Sequence, residues 1–424
     1  MIKREYYLSR IQNFYHLDLI KVITGIRRCG KSVLLAQIME ELREQGISEE
    51  QILYLNFEDY DYSFIRSGKD LHEYVKGKIV TEKKYYLFFD EIQTVPEFER
   101  VVNSIRMKFD TSIFITGSNG KLLSGELATY LSGRTVSFRM YPFSFSEVCE
   151  IRALDRESVT DEVLLDYMNW GGMPQRFQME NEEQTKTFLR DLFDTIVLRD
   201  IVQRSGIKDI DLFNRLVEYL VCNPSQTFSV QAVTDFFLSE NRKVSRETIY
   251  NYLEYITSSM IMERASRYDI RGKRILTKMD KFYLTDMGLG RIRNSGASPK
   301  REAFSKCGAI CRRGNRGGVS TFKLEMGAML ENVIYNELLV RGYDVYAGKT
   351  RKGEIDFVAV QGQQKEYYQV AYYLYDQKVI DREFQAFREI PDNYPKYVIS
   401  FDKMDFSRDG IIHKNAICFL LESK

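Results

Sequence analysis

The sequence predicts an α/β protein whose first part is a parallel sheet built around a phosphate-binding loop. Two apolar runs and one glycine-rich turn carry that expectation. The run Leu19 to Thr24 leads into Gly25-Ile26-Arg27-Arg28-Cys29-Gly30-Lys31-Ser32, after which Val33, Leu34, Ile38 and Leu42 keep a helical period. A second run, Tyr85 to Phe89, closes on Asp90-Glu91. Apolar strands that end in polar groups are what a buried parallel sheet with ligands at its carboxyl edge requires.

Each element then has its own reason. In the turn, glycines let backbone N–H groups curl around phosphate oxygens, and the helix starting at Lys31 adds the positive end of its dipole. Residues Gly25, Ile26, Arg27, Arg28, Cys29 and Gly30 form the cradle, Lys31 reaches the β and γ phosphates, and Ser32 offers its hydroxyl to Mg²⁺. Asp90-Glu91 is a Walker B pattern: Asp90 holds Mg²⁺ through its water shell, and Glu91 orients and polarises the attacking water. Read alone, the two acids would serve equally as a cap on the next helix. The run Ile113 to Thr116 ends in Gly117-Ser118-Asn119, where Ser118 and Asn119 either sense the γ-phosphate or attacking water or simply turn the chain. A helical stretch, Lys121 to Leu131, precedes Ser132-Gly133-Arg134 and a strand from Thr135 to Met140. Arg134 is expected at the ligand-binding edge, stabilising charge on a transferring phosphoryl group in cis or from a neighbouring subunit, unless it is a surface arginine.

Together GIRRCGKS, YYLFFDE, ITGSN and SGRTVSFRMYPFSFSEV resemble the AAA-type P-loop ATPases, specifically the prokaryotic family that joins an AAA domain to a carboxy-terminal domain of unknown function. YLTDMGL, LENVIYNELL and GEIDFV are similar to that family's later motifs. The resemblance implies an AAA core over residues 1–150, ATP and Mg²⁺ as cofactors, and ATP hydrolysis as the activity. It also implies a sensor role for Asn119, a finger role for Arg134, and a homo-oligomer as the assembly such a finger would serve. It does not name a substrate.

Residues 151–205 are expected to form a helical lid broken at Trp170-Gly171-Gly172-Met173-Pro174, with Arg199 either touching phosphate or exposed. Residues 206–290 show three helical segments and two β-rich pieces, the order of a winged helix. The third helix sets Arg246 against Glu247 and Glu254, whereas the wing carries Arg267, Arg271, Lys273, Arg274 and Lys278. Residues 291–325 form a basic, Gly-rich linker. DNA, held through wing and linker, is the partner that this charge raises; a solvated or protein-contact surface is the alternative.

Residues 326–424 are laid out like a restriction-endonuclease-like α/β domain, with Glu331 on its first helix and Asp356 on a strand. Gln369 and Ala371 stand where that chemistry needs a carboxylate and a lysine. A binding scaffold without nuclease activity is therefore expected, with Glu366 or Lys365 as the replacements if cleavage occurs.

Composition narrows the rest. The 61 Lys plus Arg against 60 Asp plus Glu exclude a basic nucleic-acid coat and an acidic tail protein. Six cysteines without a CxxC pair and three scattered histidines argue against a disulfide framework, zinc and a Ser-His-Asp triad. No uncharged apolar run approaches the roughly 20 residues of a membrane span, so no membrane partner and a cytoplasmic location are expected.

Overall fold

The computed structural model describes residues 2–80, 82–120, 133–294, 318–351 and 353–422. Two compact units divide the chain: residues 1–142 with 258–260, and residues 143–257 with 261–424. No helix among the described residues is long and apolar enough to cross a membrane.

In the first unit Ile20–Gly25 (β1), Ile52–Asn56 (β2), Tyr85–Asp90 (β3), Thr111–Gly117 (β4) and Thr135–Met140 (β5) form one sheet in the order β2-β3-β4-β1-β5. Every pairing is parallel. β1, β3 and β4 are buried along their whole length, which is why they read as continuous apolar runs rather than alternating ones. Helices Glu5–Gln12 (α1), Lys31–Glu44 (α2), Gly68–Lys78 (α3) and Phe98–Lys108 (α4) cover the sheet. Leu71 and Val75 of α3 and Val101, Val102 and Ile105 of α4 pack with Leu87, Phe89 and Ile113 of the strands. A capping box of Ser67 and Asp70 starts α3. The helix expected from Lys121 to Leu131 lies outside the described residues.

The parallel register corrects the placement of Arg134. Thr135 pairs with Ile20 and Met140 with Gly25, so the residue that precedes β5 lies beside the start of β1, at the edge opposite the phosphate loop. The Ile20 N–H donates to the Arg134 carbonyl at 2.9 Å. At about 3.3 Å per residue the strands separate Arg134 from its own loop by roughly 20 Å. Its guanidinium donates to Asn103 Oδ1 of α4 at 3.0 Å.

In the second unit Met262–Asp269 (β6), Arg274–Leu284 (β7), Asp344–Lys349 (β8), Glu354–Gln361 (β9), Gln364–Val370 (β10), Lys396–Ser400 (β11) and Ile412–Asn415 (β12) make one sheet in the order β12-β11-β10-β9-β8-β6-β7. The helices Ile210–Cys222, Val230–Ser239 and Arg246–Ser258 precede the hairpin β6–β7, in the order read as a winged helix. The hairpin does not stand apart, however. β6 pairs in parallel with β8, from Arg267 on Ala347 to Asp269 on Lys349, so it shares a sheet with the carboxy-terminal strands. β8, β9 and β10 form an antiparallel meander, and β11 and β12 continue parallel to β10. Helix Gly318–Val340 precedes the meander and helix Gln377–Gln385 follows it. The segment read as a lid contains helices Asp161–Trp170 and Glu182–Thr195 and a π-helix, Ile196–Gln203, all within the second unit. Of the expected linker, residues 295–317 lie outside the described ones, and its flanks belong to helices Met287–Asn294 and Gly318–Val340.

The motif YLTDMGL has a structural task here. Asp286 is buried; the Gly172 N–H donates to its Oδ2 at 2.6 Å and the Gly288 N–H to its Oδ1 at 2.9 Å. It thereby ties this motif to the Trp170-Gly171-Gly172 break, where Gly171 adopts φ 70° and leaves no room for a side chain against Asp286. Burial pushes the Asp286 carboxyl up to about 6, against the pull of those N–H groups and Arg176. Because the folded value exceeds the unfolded one of about 4, stability from this group is complete below pH 4 and is lost as pH rises through about 6. Asp286→Ala leaves two buried N–H donors without their acceptor. It should lower stability at pH 5 by about 1–3 kcal/mol in urea unfolding and flatten the profile between about pH 4 and 6.

Candidate functional site

β1 ends at Gly25, and only glycine fits there: a Cβ would lie 2.4 Å from the Met140 carbonyl oxygen and 2.7 Å from Cys29 Sγ. Arg28 (φ 64°) and Gly30 (φ 105°) are both left-handed and turn the chain into α2. The first N–H groups of α2 have no carbonyl partner within the helix, so the loop presents them to an anion. Behind the loop, the buried Arg4 guanidinium donates to the Cys29 carbonyl at 3.4 Å and to the Tyr141 carbonyl at 3.0 Å. Burial pushes the Cys29 thiol up and keeps it protonated.

Lys31 is buried, with Nζ 3.1 Å from the Gly25 carbonyl and 3.2 Å from Glu91 Oε1. Glu91 follows β3 in a left-handed conformation (φ 54°), and its other oxygen accepts from Gln93 Nε2 at 2.5 Å and Ser118 Oγ at 3.1 Å. Burial alone would raise the Glu91 carboxyl; Lys31, Gln93 and Ser118 hold it below the usual carboxylate range. Burial likewise opposes the Lys31 ammonium, but its negative surroundings, Glu91 and Asp90 among them, raise it overall. Asp90 accepts from Tyr54 Oη at 3.0 Å and from the Thr116 hydroxyl. Thr116 Oγ1 also accepts the Glu91 N–H at 3.0 Å, so one threonine of β4 positions both acids of β3.

The structure thus brings Gly25, Gly30, Lys31, Asp90, Glu91 and Ser118 together. Ser32 is exposed on the first turn of α2, Ile26 is buried, and Arg27 pairs with Glu58 at 2.9 Å. Asn119 is buried at the same strand end, but the contact to Glu91 is made by its neighbour Ser118. Arg134 is not part of this group. Sequence reasoning missed Gln93, Thr116, Tyr54 and Arg4. Thr116 lies inside a run already singled out and Gln93 two residues beyond the Asp90-Glu91 pair, whereas Arg4 carries no local signal. The glycine-built cradle fits a polyphosphate. Among the described residues no three His, Cys, Asp or Glu side chains gather to hold a metal ion by themselves, so a metal here would depend on Ser32, Asp90 and phosphate oxygens together.

A second polar group lies in the other unit, on a cavity of about 1450 Å³ lined by Glu331, Asp356, Gln369, Ala371 and Glu383. The Val370 N–H donates to Asp356 Oδ2 at 2.8 Å, the Asp356 N–H to Gln369 Oε1 at 3.3 Å, and Gln369 Nε2 to Glu383 Oε2 at 2.9 Å. The Gln369 amide is therefore spent on internal bonds. Burial, then the nearby Glu331, push the Asp356 carboxyl up to about 8, with Lys281 and the Val370 N–H opposing. Glu366 and Lys365 do not line this cavity: Glu366 accepts from Tyr368 Oη at 2.5 Å, and Lys365 Nζ lies 3.4 Å from Tyr268 Oη.

Residues 18–149 match the AAA_14 family, described as an AAA domain, and residues 161–298 match DUF8612, a domain of unknown function. The fold is similar to the Aeropyrum pernix ORC1 protein in complex with DNA, at a TM-score of 0.31 and 14% identity over 74% of this chain and 94% of that one. It is also similar to AMPPCP-bound DnaA from Aquifex aeolicus, at 0.30 and 13% over 60% and 87%. At these TM-scores neither likeness bears on function. An uncharacterized protein of Haemophilus influenzae is 38% identical over 402 residues, 94% of this chain and 93% of its own length. One of Methanocaldococcus jannaschii is 30% identical over 406 residues, 92% and 83% respectively. With an AAA domain matched over residues 18–149 and kinship along almost its whole length, the chain belongs to the family that these two relatives represent.

Proposed function

We propose that the first unit binds ATP with Mg²⁺ and hydrolyses it. The observation that carries this reading is the convergence of Lys31, Asp90, Glu91 and Ser118 on a glycine cradle at one sheet edge. The loop N–H groups and Lys31 would hold the phosphate oxygens, with Lys31 exchanging its contact to Glu91 for them. Gln93 and Ser118 then keep Glu91 in place to polarise water, and Asp90 and Ser32 hold the cation. Mg²⁺ held there would supply neutralisation of phosphate charge. In this scheme hydrolysis changes the posture of the second unit, which acts as a binding scaffold and not a nuclease.

Because Lys31 and Glu91 satisfy each other, a slow, nucleotide-gated switch is the favoured variant of this reading. Arg134 is too far along the sheet to serve its own loop, so its finger role is proposed in trans, within a homo-oligomer. DNA binding is a second reading, supported by Arg271, Lys273 and Arg274, all exposed at the β6–β7 turn. The neighbouring Arg264 and Arg267 weigh against it, being engaged by Asp280 and Glu354.

Three outcomes check this reading. Lys31→Ala should lose Mg-ATP affinity in calorimetry while Glu91→Gln keeps it and slows turnover by about 10²–10⁴-fold; equal turnover would reduce Glu91 to a helix cap. Gln93→Ala removes a donor that depresses the Glu91 carboxyl, so the acidic limb of the turnover profile should move to higher pH, with KM little changed. Mixing Arg134→Ala with Lys31→Ala protein should restore part of the turnover, since each supplies the half-site the other lacks; mixtures that co-assemble without rescue argue against a finger in trans.

A further inference from the structure

The second unit contains a cation of its own. Lys281 projects from β7 with its side chain 8% exposed, and its Nζ lies 3.0 Å from Glu331 Oε1 on helix Gly318–Val340 and 3.8 Å from Asp356 Oδ1 on β9. The two acids are held from behind. Tyr283 Oη donates to the same Glu331 oxygen at 2.7 Å, its ring stacked on Tyr335 at 4.0 Å, and the Val370 N–H fixes the other Asp356 oxygen at 2.8 Å. Of the other acids lining this cavity, Glu383 pairs with Arg382 at 2.5 Å and Glu354 pairs with Arg267. An ammonium thus stands where two carboxylates from separate elements would otherwise share a hard cation.

We propose that Lys281 is the resident cation of the Glu331–Asp356 pair, and that the hairpin β6–β7 plugs a two-carboxylate site and closes it to divalent metal. With Lys281 in place, an incoming ion meets a fixed positive charge within a few ångströms, in surroundings that screen it poorly. Without it, two part-buried acids lose their nearest counter-charge, a state relieved by capturing a cation. The proposal stands independently of the nucleotide reading, because every group in it belongs to the second unit.

The full-length protein, free of nucleotide, is titrated with Mn²⁺ and followed by electron paramagnetic resonance, with thermal unfolding measured in parallel. The parent and Lys281→Arg should show no Mn²⁺ site that depends on Asp356. Lys281→Met should acquire a saturable one that the double variant Lys281→Met/Asp356→Asn loses. If removal of the ammonium leaves the variant poorly folded, Mn²⁺ should raise its Tm by about 2 °C or more, with no such rise in the parent. Mn²⁺ binding by the parent that disappears in Asp356→Asn would overturn the proposal. So would a Lys281→Met protein that gains neither the resonance signal nor stability from Mn²⁺.

Discussion

The approach of Gly25 to the Met140 carbonyl is the constraint on which the first unit's site is built. β1 and β5 end at the same level, so the chain leaving β1 must pass under the end of its neighbour, where a Cβ would meet that carbonyl at 2.4 Å. From there the loop turns through two left-handed residues, and Lys31 returns to the Gly25 carbonyl, which closes the cradle on itself. The acids of β3 reach the same place because β3 and β1 both pair with β4 in parallel. Thr116, on that shared strand, then sets the orientation of both acids.

The two units treat a buried lysine in the same physical way and with different chemical scope. In each, an ammonium is taken out of water only because carboxylates stand beside it, and the attraction outweighs the desolvation. Lys31 sits under a loop of N–H groups that a phosphate can occupy, so its ion pair with Glu91 has a competitor. Lys281 faces two acids that the Tyr283 hydroxyl and the Val370 N–H hold in place. The same pairing is therefore exchangeable at one site and closed at the other.

What the sequence disclosed was what short stretches of chain encode. The cradle and the acids after β3 were legible because spacing within a strand-turn-helix unit leaves little freedom. Ser118 was legible as a position, though not as the donor to Glu91. Arg134 was placed at the wrong edge because its sequence neighbour, a strand, says nothing of direction; only the register of β5 on β1 fixes that. Lys281, Glu331 and Asp356 come from a hairpin, a helix and a meander, and no local pattern announces that they meet. For the same reason β6–β7 read as an independent wing: the three pairs that join it to β8 connect distant parts of the chain.

That junction has a consequence for how the protein is made. A ribosome delivers β6 and β7 well before β8 and helix Gly318–Val340, so for an interval the hairpin has an open strand edge and Lys281 has neither of its acids. Local helices and the β1–β5 sheet can form during that interval, but the seven-stranded sheet must wait for pairings of long sequence separation, which are the slow ones. The second unit is thus completed late, and until β8 arrives β6 has an unpaired edge open to misassociation.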